Sequence, residues 1–172
     1  MSQASKKVEW CLCKAKKELK ESALHRGLVE VEKNIENAEK HVAKAEHNLQ
    51  GALYFDKGNY SDWSASAFFY CIYHCFLAIL RKFGYESRNQ ECTIAMIEFL
   101  NEEGKIAIDK KFIEALKITE MDKLQERSVI GIRENYQYGT EMEFEERRQF
   151  DYLVSLCKEM IDETKEIIHK ND

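Results

Sequence analysis

Read from the N-terminus, the chain intersperses charged stretches with apolar positions three or four residues apart, the period of a helix that buries one face. The strongest such stretch runs from about Val31 to Asp56. There Ala38, Val42, Ala45, Leu49 and Leu53 fall on one stripe, with Glu and Lys on the other faces, and Gly58 ends the pattern. The segment from Asp62 to about Phe83 is apolar nearly all round, which a helix tolerates only when neighbours enclose it, so it is expected to be the central helix. Asn59 or Ser61 can cap its start, Asp62 suits the positive end of its dipole, and Gly84 stops it.

The other segments are weaker or shorter. From Val8 to Glu21 the apolar residues Trp10, Leu12, Cys13, Ala15 and Leu19 are scattered among lysines, and Gly27 breaks the pattern. "IAMIEFLNEEG" places Ile94, Ile97 and Leu100 on one face, and Asp109 to about Ile118 offers Phe112, Ala115 and Leu116 for packing. Residues 119–139 are read as helix on both sides of "SVIGIR". Thr140 and Glu143 form a Thr-x-x-Glu capping box before a last amphipathic helix carrying Phe150, Leu153, Cys157, Met160, Ile167 and Ile168. The expected fold is all-α: an antiparallel up-and-down bundle of four to five core helices over residues 38–172, preceded by a helical extension over residues 1–37.

Composition strengthens that expectation. The 172 residues include no proline and seven glycines, so little interrupts long helices, and the length suits one domain able to bury a core without a disulfide staple. A net charge of -5 argues against a protein that attracts nucleic acid by a diffuse positive field. Lys14, Lys16, Lys17 and Lys20 make a local basic cluster, but Glu18 and Glu21 interrupt it and a solvated helix face accounts for it. No long apolar region follows the early lysines, which gives no secretory signal and a cytoplasmic expectation, and "FFYCIYHCFLAIL" is too short to span a bilayer. The six cysteines are accordingly expected to stay reduced.

Few residues suggest chemistry. Cys71, His74 and Cys75 lie close in sequence, and Cys11 and Cys13 form a second pair. Cysteines on an apolar helix act first as small hydrophobes, so neither a metal nor a cofactor is expected. His74 is either a core histidine satisfied by a hydrogen bond or the lining of a cleft. No phosphate-binding loop, dinucleotide fingerprint or nucleophile with its base is present, so nucleotide binding would have to use side chains.

"RENYQYG", residues 133 to 139, supplies such side chains. Arg133 offers a planar fork of donors for phosphate, and Tyr136 and Tyr138 offer stacking faces and hydroxyls. On an ideal helix Arg133 shares a face with Tyr136 and Gln137. Tyr138 lies about 140° round and meets Arg133 only if the helix loosens before Gly139. Ordinary packing of the rings beside an exposed arginine is the competing reading.

The order of these features resembles the HEPN domain family of small helical bundles. "AEHNLQGALYFDKGNYSDWSASAFFYCIYHCFLAIL" is similar to the family's first two core helices, with Tyr70, Tyr73 and His74 in its aromatic centre. "GYESRNQECTIAMIEFL" resembles the connection into the third, and "RENYQYG" the late Arg-x-x-Ala-Asp-Tyr element, with Tyr136 and Gln137 in place of Ala and Asp. The resemblance covers about Ala38 to Ile168 and leaves residues 1–37 as an extra helical hairpin. It implies a homodimer whose late arginines approach a shared cleft. Ribonuclease members carry Arg-x4-6-His; counted from Arg133 those positions hold Tyr138, Gly139 and Thr140.

The resemblance is therefore to the non-nuclease branch. It implies binding of a nucleotide, RNA or a nucleotidyltransferase partner in a toxin-antitoxin-like system, without catalysis, through Arg133, Tyr136, Tyr138, His74 and Tyr70. The alternatives are a metal-independent endoribonuclease that recruits another histidine such as His74, and a purely structural interaction module.

Overall fold

The pairing of α-helical stripes builds the molecule outward from one hairpin. In the computed structural model, which describes residues 2–117 and 128–170, the elements are α1 (Gln3–Glu21), β1 (Leu28–Glu30), α2 (Ile35–Lys57), α3 (Ser61–Lys82), β2 (Tyr85–Ser87), α4 (Gln90–Glu102), α5 (Lys110–Ala115), α6 (Val129–Tyr138) and α7 (Arg147–His169). Helix α2 starts where the Asn34 side chain accepts from the Asn37 amide at 2.8 Å, and it ends at Gly58. Its expected stripe is buried at Ala38, Val42, Ala45 and Leu49 and partly buried at Leu53.

A tight turn folds α3 back along α2, and the Ser64 hydroxyl donates to the Ala52 carbonyl at 2.7 Å across the pair. Helix α3 is long and apolar enough to cross a membrane, and its apolarity is used in packing: α2, α4, α6 and α7 all lie against it, and Phe68, Ile72, Phe76, Ile79 and Leu80 are fully buried. The chain is all-α in its core, as the helical periodicity requires.

Contacts at both ends of α3 set the direction of α7. Near the start, the Phe144 amide donates to Ser61 Oγ at 2.9 Å. At the far end the buried Lys82 ammonium donates to the Ile167 and Lys170 carbonyls, at the negative end of the α7 dipole. Helices α3 and α7 are thus parallel, and α2 runs antiparallel to both, joined to α7 by Arg147–Asp56 at 2.8 Å and Lys165–Glu46 at 2.6 Å. Helix α6 supplies the intervening reversal, which gives the up-and-down order.

Several local expectations change. The N-terminal segment forms one helix and a strand instead of a helical hairpin, and α1 begins at Gln3 and buries Ala4, Val8, Cys11 and Ala15. Trp10 and Leu19, large and apolar, are exposed. Size misled the reading, because α1 meets its neighbour through its small side chains. Strands β1 and β2 pair antiparallel, Leu28 opposite Ser87 and Glu30 opposite Tyr85, in linkers too short to show alternation. Two glycines permit that ribbon. A Cβ on Gly27 would lie 2.6 Å from the Cys11 carbonyl, and Gly84 has φ +80 with its Cβ position 2.8 Å from the Val31 carbonyl.

Neither expected cap of α3 forms: Tyr60 occupies the cap position without a side-chain bond, and the Ser61 hydroxyl serves Phe144 instead. The Thr140–Glu143 capping box does not form either. Helix α7 begins at Arg147, because Phe144 is drawn into a ring cluster with Phe68, Phe150 and Tyr136 that holds the preceding chain extended. The expectation that all cysteines stay reduced is also corrected: Cys11 of α1 is bonded to Cys92 of α4, 81 residues away, while Cys13, Cys71, Cys75 and Cys157 are free. Proximity across the bundle, invisible in the spacing, brings the two thiols together. Of the helix expected over residues 119–139, residues 119–127 lie outside the described residues, as does Ile118 at the end of the preceding segment.

Candidate functional site

Arg133 is placed by the burial of its own helix. The Ser128 side chain accepts from the Gly131 amide at 3.0 Å to start α6, and Val129, Ile130 and Ile132 are buried against the bundle. That fixes the rotation of the helix and leaves Arg133 at the edge of the buried face. Its side chain is 18% exposed, with the guanidinium carbon 4.2 Å above the centre of the Phe69 ring of α3. Its Nε is buried without a hydrogen-bond partner, and its nearest carboxylate, Glu134, stands 3.9 Å from Nη2, beyond hydrogen-bond reach.

The ring beneath the guanidinium belongs to a connected set. Phe69 stacks on Tyr73 at 5.9 Å and meets Tyr70 edge-on at 5.1 Å. The Tyr73 hydroxyl, whose pKa burial raises, lies 3.3 Å from Thr93 Oγ1, and Thr93 in turn donates to the Asn89 carbonyl at the start of α4. Arg133, the aromatic centre of α3 and the first turn of α4 are therefore joined by one chain of contacts.

Arg133 faces a cleft of about 1000 Å³. Ile94 and Ala95 of α4, Leu116 and Ile130 form an apolar floor, and Lys7, Trp10 and Lys14 of α1 stand opposite. Glu91 is paired with Lys7 at 2.7 Å, which holds its carboxyl below the usual range, and Glu98 is paired with Lys117. The indole of Trp10 is 51% exposed, with the Lys7 and Lys14 ammoniums 4.6 and 5.3 Å from its ring. Lys16, Lys17 and Lys20 are exposed, whereas Lys14 turns toward the cleft.

The other expected site residues are distributed differently. Tyr70, half-exposed, approaches Arg133 through Phe69. Tyr136 stacks on Phe144 at 4.5 Å and its hydroxyl accepts from the Glu145 amide, a packing role. Tyr138 is 78% exposed: α6 stays helical to its end, so Tyr138 does not converge with Arg133. His74 lies about 140° round α3 from Phe69. Its Nδ1 is 3.0 Å from His41 Nδ1 of α2, and burial, then the neighbouring imidazole and Lys44, pushes its pKa down to about 4.

Burial likewise lowers His41, assisted by Arg81 and opposed by Glu86. One hydrogen bond between the two neutral imidazoles uses the Nδ1 of each. Cys71 and Cys75 lie in the core, where the contact with Cys157 and burial, respectively, raise their thiol pKa values. Among the described residues no group of three or more His, Cys, Asp or Glu side chains could hold a metal ion.

The reading from sequence did not find the wall supplied by α1. The one available signal was the small-residue stripe Ala4, Val8, Cys11 and Ala15, whose spacing leaves Lys7, Trp10 and Lys14 on an adjoining face. No curated protein matches the chain. A family profile for the HEPN domain matches residues 31–168, which include the central hairpin, α4 and the helix that carries Arg133. With this match over most of its length, and a helical bundle in the structure, the chain belongs to the HEPN domain family.

Proposed function

We propose that this HEPN protein is a homodimeric binding protein that takes a nucleotide or RNA phosphate at Arg133. It has no ribonuclease chemistry of its own and works beside a nucleotidyltransferase partner in a toxin-antitoxin-like pair. The observation that carries the reading is the guanidinium itself. It is mostly buried, its carbon lies 4.2 Å over the Phe69 ring, and it lines a cleft, yet its Nε has no hydrogen-bond partner. A preorganised fork with spare donors is the arrangement that recognises phosphate oxygens.

The reading of a site without hydrolysis is supported by the proton-transfer groups among the described residues. Cleavage of RNA needs a general base near neutrality, and the residues five to seven positions after Arg133 are Tyr138, Gly139 and Thr140. A phenol is a poor general base, and Tyr138 is exposed to solvent. His74 is hydrogen-bonded to His41 on another side of α3. The dimer is supported by exposed Trp63 and Tyr70 along one edge of α3, an apolar strip suited to a second copy.

Binding of labelled single-stranded oligoribonucleotides and of adenine nucleotides tests the reading. Arg133→Ala is expected to weaken binding by about tenfold or more, the loss of charge-assisted hydrogen bonds, while melting like the parent. Equal affinity of the folded variant would remove the assignment, and Arg133-dependent cleavage of the RNA would replace it with the nuclease reading.

A further inference from the structure

Resting on the binding role of Arg133, we infer that α1 is the base-stacking wall of the same site: a nucleotide unit is held with its base on Trp10 and its phosphate between Lys14 and Arg133. Helix α1 ends before the matched residues 31–168, so nothing in the family assignment gives it a role. Its placement is nevertheless fixed. It buries only the small side chains Ala4, Val8, Cys11 and Ala15, and the Cys11–Cys92 bond and the Lys7–Glu91 pair pin it to the first turn of α4.

This anchoring presents the indole to the cleft instead of the core. Trp10 is half-exposed, and the Lys7 and Lys14 ammoniums stand within cation–π distance of its ring, where a stacked base would displace them. Exposed aromatic faces beside cationic groups are how proteins hold unpaired bases without reading sequence. The charges are divided in a way that suits one phosphate and not a long polyanion. Among the described residues that line the cleft, Lys7 and Lys117 are paired with Glu91 and Glu98, and Lys14 and Arg133, the latter 3.9 Å from Glu134, remain to meet a ligand.

Two probes, adenosine triphosphate and a labelled single-stranded oligoadenylate, separate a free nucleotide from an RNA chain as the source of that unit. The chain has two tryptophans, so Trp63→Phe leaves Trp10 as the reporter. Its fluorescence is expected to be quenched as either probe saturates, and Trp10→Ala to weaken binding by about tenfold, with Trp10→Phe restoring most of it. Arg133-dependent binding with unchanged Trp10 emission and full affinity in Trp10→Ala would overturn the stacking wall and leave the Arg133 reading standing. Absence of binding by the parent protein to both probes would remove that reading and this inference together.

Discussion

The two sides of α3 handle buried polar groups differently. On one side His41 and His74 approach to 3.0 Å through their Nδ1 atoms, one donating and the other accepting. On the other, Arg133 rests on Phe69 with its Nε unpaired. Both groups are partly buried and both pack against the central helix, so depth alone does not separate a site from a structural contact. The state of their hydrogen bonds does. The two histidines spend their Nδ1 atoms on each other, while the Arg133 Nε has no partner.

The largest test of the contrast lies under Arg133. Phe69→Ala removes a buried ring that supports both the guanidinium and Tyr73, and is expected to cost about 3–5 kcal/mol, lowering Tm by roughly 10 °C. Phe69→Leu keeps most of the apolar volume, and its smaller loss should still be accompanied by weaker phosphate binding. A Phe69→Leu protein with unchanged affinity would show that the ring does not position Arg133.

Next in size is the bond that holds the far wall. Replacing Cys11 and Cys92 by Ser opens a loop of 81 residues in the denatured chain and is expected to destabilise the protein by about 2–4 kcal/mol in denaturant melts. The affinity at the Arg133 cleft should fall with it, and the His41–His74 side should keep its behaviour. If the two sides changed together, they would not be independent units.

The smallest effect is on the histidine side and is read by pH. Both imidazoles are held below their ordinary pKa, His74 at about 4, so between the unfolded value near 6.5 and that folded value the unfolded chain binds more protons. Stability from this pair is therefore fully present above about pH 6.5 and is lost as pH falls toward 4. Discounted for the solvent that reaches His74, the loss is about 1 kcal/mol, or roughly 3 °C in Tm. His74→Gln should flatten the fall in Tm between pH 7 and 5, measured by circular dichroism, and leave phosphate binding unaltered. A parallel fall in both proteins would place the titration elsewhere.

How far these features were legible follows from how local each one is. The stripe on α2 and the all-round apolarity of α3 are properties of consecutive residues, and both appear as read. Arg133 could be selected from its chemistry and position, and it does line the cleft; Tyr138 could not be excluded until α6 proved helical to its end. The capping box shows the opposite failure. Thr140 and Glu143 have the right spacing, but Phe144 gains more by joining the Phe68–Phe150 cluster than the helix gains from starting early.

The sequence by itself determined the helical class and the enclosed central hairpin, and it marked Arg133 as a candidate, because periodicity, the lack of proline and side-chain chemistry act within a few residues of one another. Only the tertiary structure decided the partners: Cys92 for Cys11, His41 for His74, and a wall of α1 facing Arg133. Those choices depend on how helices distant along the chain rotate against one another to bury their stripes, and no local spacing records that angle.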